Sequence, residues 1–407
     1  DRSPSRGLGD VYKRQKVNLD FLEPEVATTL ARRELADFDI NDNTSYAKFL
    51  PSQEVPDIEY AIDVDTADRI TAANWRMFNG TTTSEVWGQG EKARGRLMPL
   101  SRNFILDEES RLRMRNNADQ LMEREAANLV RRAARSIALQ VNLQRANAIY
   151  NGRIDLNGSG GLRQTVDFGR KEEFTNTAAK LFTDPSADPI QHLQDQVELY
   201  EDENGFRPEL MHMTTRIRSL IANHPTVRAA IYGSGRAGES RARVNAADLN
   251  SYLADCDLPE IFITGTSKVK VDDLDNGGAS KLVYLAPQDS ITFTPASGDP
   301  ANPESSVFGR TFWGQTMSAN LPEFSPASSG LDLEGIVAAI IEHGWPAQQE
   351  VIADAIAMPV VFNPNYTLRT KVIEGPKDSA AAAGNTAGAN TGANTGANTG
   401  ASAGTEG

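Results

Sequence analysis

Residues 107–150 read DEESRLRMRNNADQLMEREAANLVRRAARSIALQVNLQRANAIY, and this stretch decides the fold. It contains no Gly and no Pro, the two residues that most disfavour a helix interior. Met122, Ala126, Leu129, Val130, Ala133, Ile137, Val141 and Ala148 mostly recur every three or four positions, which puts one apolar stripe along a helix. Arg124, Arg131, Arg132 and Arg135 fall mostly off that stripe. Asp107, Glu108 and Glu109 suit the positive end of the helix dipole, and Gly152 suits its stop. At the rise of an α-helix the span is roughly 65 Å, longer than one small domain is wide. The chain offers no second helix of that length, so a coiled coil within one copy is not expected.

Outward on the N-terminal side, residues 58–65 (IEYAIDVD) alternate as a strand, and 96–106 (RLMPLSRNFIL) read as its returning partner. Between them lie Gly80-Thr81-Thr82-Thr83-Ser84 and Gly88-Gln89-Gly90-Glu91-Lys92-Ala93-Arg94-Gly95, which suit a long protruding hairpin. The basic cluster Lys92, Arg94 and Arg96 with Trp87 suits either a phosphate-binding patch or a loop tip that meets acidic groups on another subunit. Residues 16–57 carry a short helical pattern (Phe21, Val26, Leu30, Leu35) and then Pro-punctuated text, an arm with one small helix. Residues 1–15 have no amphipathic period and join abruptly to the aliphatic and acidic residues after Gln15. Their last six, Asp10 to Gln15, are what GATGTGTATAAGAGACAG encodes, similar to a transposon end used in preparing sequencing libraries. We therefore set 1–15 aside as an assembly scar.

On the C-terminal side the text is α+β. An amphipathic helix is expected at 188–203 through Ile190, Leu193, Val197 and Tyr200, then a strand at 209–213 and a helix capped by Thr214 or Thr215 that stops near Pro225. A further helix is expected at 246–254, with strands at 259–264, 267–272, 281–286 and 290–294. Residues 336–342 admit a helix, but Ile/Val enrichment and the Gly344–Pro346 break favour two long strands, followed by a closing strand at 366–373. Beyond Pro376 the Ala/Gly/Asn/Thr-rich text, 375–407, cannot bury a core and reads as a disordered tail.

Composition narrows the function. With 55 acidic against 41 basic side chains the net charge is −14, which argues against tight binding of nucleic acid over the whole surface. A single cysteine, Cys256, excludes an internal disulfide and multi-Cys metal centres. Its neighbours Asp255 and Asp257 should raise the thiol pKa, so it reads as a packing residue. His192, His212, His224 and His343 have no metal-ligand spacing and read as structural. Gly233-Ser234-Gly235-Arg236-Ala237-Gly238 has the letters of a dinucleotide fingerprint, but the helical text before it lacks the required strand. No catalytic, cofactor or metal residues are expected, and no run of text is long and apolar enough to cross a membrane.

The order of arm, Gly-rich hairpin, very long helix, α+β middle, long closing strands and tail resembles the major capsid proteins of tailed phages with the Hong Kong 97-type fold. It is most similar to the lambda-like major capsid protein E family. Asn103-Phe104-Ile105-Leu106 leading into the Arg-rich helix, and the Gly335-to-Pro364 block with its MPVVFNPN ending, carry the resemblance. It implies an N-terminal arm at 16–57, an extended loop hairpin at 58–106 and a peripheral domain with its spine helix at 107–165. It also implies a mainly axial domain at 166–329 and peripheral-domain strands with a closing strand at 330–374. The function implied is an icosahedral shell around the phage genome, built from pentamers and hexamers of this chain in the host cytoplasm. Implied partners are scaffolding and portal proteins and weakly held double-stranded DNA. Trp87, Lys92, Arg94 and Arg96 are the expected inter-subunit contacts, and deleting 78–95 is expected to leave a folded subunit that builds no shell. An encapsulin-like compartment shell and an enzyme with an unrecognised acidic site are the alternatives.

Overall fold

The computed structural model describes residues 16–17, 22–63, 92–106, 109, 118–158, 162–233, 244–273, 279–320, 333–344 and 347–375. The expected scar at 1–15, the tail from 376 onward and Trp87 lie outside them. The chain runs through β1 (Lys16–Val17), α1 (Pro24–Asn41), β2 (Ser52–Glu54), β3 (Glu59–Asp63), β4 (Lys92–Arg96), β5 (Met98–Leu106) and α2 (Ala118–Asn151). Next come β6 (Arg153–Asn157), β7 (Arg163–Asp167), β8 (Thr175–Thr177), α3 (Pro189–Asn204), β9 (Leu210–Thr214), α4 (Thr215–Asn223), α5 (Pro225–Tyr232) and α6 (Ala246–Asp255). The remaining strands are β10 (Glu260–Thr264), β11 (Lys268–Asp273), β12 (Ala279–Tyr284), β13 (Ser290–Thr294), β14 (Gly309–Gly314), β15 (Val337–Gly344), β16 (Ala347–Val361) and β17 (Leu368–Lys371).

The long helix α2 is present, about 51 Å over its described turns. Asp107 and Glu108, where its start was expected, lie outside the described residues. Ala126, Val130, Ala133, Ile137, Val141 and Ala148 are buried and Leu129 is half-buried, whereas Arg124, Arg131, Arg132 and Arg135 are exposed. The stripe is covered within one chain: Ala338, Ile340, Val351, Ala353 and Ala355 of the main sheet, with Ile336 just before it and Ala27 and Ala31 of α1, cover most of it.

That main sheet is organised on β16. Residues 349–357 of β16 pair with β5, residues 347–354 pair with β15, and residues 356–361 pair with β14. A strand has two edges, so β15 and β14 lie end to end along one edge and β5 takes the other. β14 continues to β2 in parallel, and β15 continues to β1. Helix α1 covers more of the β15 edge: Thr28 Oγ1 accepts from Ala338 N and donates to Ala338 O, both at 3.2 Å, and Arg32 donates to Ile336 O. Side chains that occupy edge groups in this way prevent uncontrolled strand addition. The helix inside the expected arm is 18 residues long and buries Ala27, Thr28, Ala31 and Phe38, while Val26, expected on its apolar side, is exposed.

The hairpin pairing is corrected. β3 pairs with β4, from Glu59 opposite Arg96 to Asp63 opposite Lys92, so of the expected partner 96–106 only Arg96 stands opposite it in the register. Leu97 is buried, its N–H donates to Ile58 O at 2.8 Å, and the chain then leaves the hairpin as β5 to join β16. Leu100 and Phe104 of β5 thereby pack under α2, a burial that the isolated partner strand 59–63 cannot offer.

The second unit is a five-stranded sheet in the order β10-β9-β13-β17-β8, packed with α3 to α6. Ile190, Leu193, Val197 and Tyr200 are all in its core, as expected. Asp188 caps α3 and Gly205, at φ 76°, ends it in the left-handed conformation that Gly adopts without a Cβ penalty. Thr214 caps α4 by accepting from Ile217 N. Pro225 does more than stop that helix. It opens α5 at a first-turn position, where its missing N–H has no partner to lose. β17 joins this unit rather than the main sheet, so the closing strand ties the chain's last described segment back to its middle.

Candidate assembly surfaces

On a β-strand every second residue shares a face, so Arg94 and Arg96 occupy one face of β4 and Gly95 the other. Arg94 and Arg96 are exposed. Glu59 stands opposite Arg96 in the register and Asp63 opposite Lys92, but Arg94 faces Ala61, so β3 supplies no acid at that position. On the other face a Cβ at Gly95 would overlap the Tyr60 ring, which stacks on Phe312 of β14 at 5.6 Å and 16°. The absence of a side chain at Gly95 lets the hairpin sit on its anchor. The structure therefore places Arg94 and Arg96, two of the four sequence-selected residues, on one strand face. The chain between Asp63 and Lys92, which includes Trp87, is outside the described residues.

A buried lock missed by the sequence reading ties together four elements of the unit that carries this hairpin. Arg145, on the inner side of α2, donates to Asp39 Oδ1 at 2.6 Å and Asp39 Oδ2 at 3.1 Å, to Thr311 Oγ1 at 2.9 Å and to Ser52 Oγ at 2.8 Å. Ser52 donates to Asp39 at 2.8 Å, and Trp313 Nε1 donates to Ser52 at 3.0 Å. The Arg145 and Asp39 side chains are 1% and 8% exposed, so both charges are desolvated and satisfied by each other and by this shell. α1, β2, β14 and α2 are pinned at one point.

A second buried group joins the two units. His212 of β9 hydrogen-bonds Tyr150 of α2 through Nδ1 at 3.0 Å and Thr294 of β13 through Nε2 at 2.9 Å, and Tyr150 donates to Tyr46 at 3.2 Å. A neutral imidazole supplies one donor and one acceptor, which these two hydroxyls use. Burial, reinforced by the nearby Lys48 charge, pushes the imidazole down to about 3. Burial also pushes Tyr46 up to about 12 and raises Tyr150. The C-terminal end of α2 is held by two arginines: Arg170 donates to Tyr150 O at 3.0 Å and Arg369 to the Asn151 side chain at 2.7 Å.

Among the described residues no three His, Cys, Asp or Glu side chains come together to hold a metal ion. His192 hydrogen-bonds Thr370, and His224 hydrogen-bonds Thr226 and Asp184 O, so each has a place in the fold. Cys256 packs half-buried on the core of the second unit. The segment before Gly233 is helix α5 and not a strand, so the fingerprint letters lack their structural setting. No helix among the described residues is long and apolar enough to cross a membrane.

Two solved structures share this architecture. A phage-related protein from Bordetella bronchiseptica RB50 is 14% identical, covers 87% of this chain and 98% of its own, and gives a TM-score of 0.50. A structure described as a prophage capsid protein from Escherichia coli CFT073 is 18% identical, covers 84% of this chain and 96% of its own, and gives a TM-score of 0.51. No curated protein sequence matches the chain. The α+β fold is that of phage capsid proteins, the Hong Kong 97-type fold. The family described as phage major capsid protein E matches residues 89–372, and the chain belongs to that family. It is a structural protein of the phage capsid.

Proposed function

We propose that this chain is the repeating unit of an icosahedral shell that encloses double-stranded phage DNA, and that it acts by association and not by catalysis. Membership of the capsid family across residues 89–372 carries the reading. The unit built on β16, α1 and α2 serves as the peripheral domain, and the unit built on the β9-containing sheet serves as the axial domain that meets its copies at five- and six-fold axes. Such heterologous contacts close into rings when the rotation between copies closes. Scaffolding and portal proteins, and assembly in the host cytoplasm, complete the proposal.

In this reading Trp87, Lys92, Arg94 and Arg96 meet acidic groups on a neighbouring subunit. The presentation of Arg94 supports it, because that guanidinium is exposed and has Ala61 rather than an acid opposite it. A two-stranded ribbon is marginal in water by itself, so a neighbour's surface would contribute to holding it. The test must spare β4, which a deletion of 78–95 would remove in part. Replacing residues 66–89 with a short Asn-Gly turn instead is expected to leave a soluble subunit with unchanged helical circular dichroism and no particles by negative-stain microscopy. Normal shells from that variant would overturn the role given to the loop.

A further inference from the structure

The exposed arginines of α2 are used by neither the lock nor the hairpin. At about 100° per residue, Arg124, Asn128, Arg131, Arg132 and Arg135 fall within a roughly 100° arc of the helix, opposite the buried stripe. That arc holds four basic side chains and no acid, in a chain whose net charge is −14. Arg135 is already engaged, at 3.5 Å from Glu34 and 3.2 Å from Asp42 of the same chain. Arg131 donates to Asn128 at 3.2 Å, which fixes its direction without neutralising it.

We infer that the solvent face of α2 contacts the phosphate backbone of double-stranded DNA through Arg124, Arg131 and Arg132, a surface assignment that rests on the shell reading. Three features fit a phosphate backbone. All the basic residues of α2 are Arg and none is Lys, and the planar guanidinium fork matches phosphate oxygens two at a time. Arg124, Arg131 and Arg132 span about 12 Å of a rigid helix, a length that reaches neighbouring phosphates of a duplex. The chain's net charge of −14 opposes a polyanion over the surface as a whole, so contact through this arc stays weak enough for the packaged duplex to slide.

The test uses the purified full-length chain and a fluorescent 30-base-pair duplex, with affinity followed by anisotropy across a salt series. For the unaltered chain the logarithm of affinity should fall linearly with the logarithm of salt. In the Arg124→Gln/Arg131→Gln/Arg132→Gln variant that slope should flatten by about 2.7, roughly 0.9 for each phosphate that is no longer neutralised. A control that removes equal charge elsewhere on the surface, Lys180→Gln/Lys270→Gln/Lys281→Gln, should keep the original slope. Equal slopes in all three proteins would overturn the inference. So would a poly-glutamate peptide that displaces the duplex at the same charge concentration, because the arc would then be a docking face for acidic protein. Particle formation is read in parallel by microscopy: particles without duplex binding sink this inference alone, and an absence of particles sinks the shell reading beneath it.

Discussion

His212 shows how one residue couples the molecule to pH. Its imidazole is held neutral by burial down to about 3, whereas in an unfolded chain the same group titrates near about 6.5. Between those values the unfolded chain binds a proton that the folded subunit refuses. The stabilising contribution is therefore intact above about 6.5 and is lost as pH falls towards about 3. A titration of urea unfolding from pH 6 to pH 4 should show stability declining with acid. In His212→Gln, which keeps a donor and an acceptor but cannot titrate, the decline should be shallower by roughly 1.4 kcal/mol per pH unit. An identical pH dependence in the two proteins would contradict this role. The sequence marked His212 as structural because it lacks metal-ligand spacing, and that reading holds. Its partners Tyr150 and Thr294 lie 62 and 82 positions away, so no local pattern could reveal them.

At the scale of elements, the Arg145–Asp39 pair determines whether α1 belongs to the body of the subunit. Arg145→Met should destabilise the subunit by about 3–5 kcal/mol, because Asp39 would be left as an uncompensated buried charge. Adding Asp39→Leu should restore most of that stability, and chemical denaturation of the two variants reads the difference. A double variant no more stable than the single one would show that the pair is not the lock described. This lock also marks a limit of sequence reading. The arginines of α2 look alike in the text, and only the placement of Asp39, 106 residues away, separates a buried Arg145 from exposed neighbours. Elements with a local cause were legible: the α2 stripe, the Thr214 cap, and the strands from β10 to β13. Pairings with a distant cause were not. The choice of β16 as partner for β5 follows from burial of Leu100 and Phe104 beneath a helix whose packing is set by the whole unit. The alternation of Arg94 and Arg96 was visible in the text, but which residues of β3 stand opposite them depended on a register set by the fold.

For the whole molecule, the two units differ in how they are finished. The β15–β14 edge of the main sheet is covered by α1, β1 and β2, and the apolar stripe of α2 is covered by that sheet, so the subunit is a folded body before any neighbour arrives. Assembly must therefore draw on surface presented by that body, with the hairpin as its most distinctive part. Contacts between copies can then be individually weak and collectively sufficient, as closed symmetry requires. Family membership favours a phage capsid over a compartment shell, and the contents of purified particles, DNA or protein cargo, separate the two.

Sedimentation velocity of the purified full-length chain, at rising concentration and in a crowding agent, tests the central claim most directly. We predict a shift from slow species to discrete pentameric or hexameric rings and then to large closed particles of uniform size. A single slow monomer peak that persists at every concentration, with the fold intact by circular dichroism, would contradict the account.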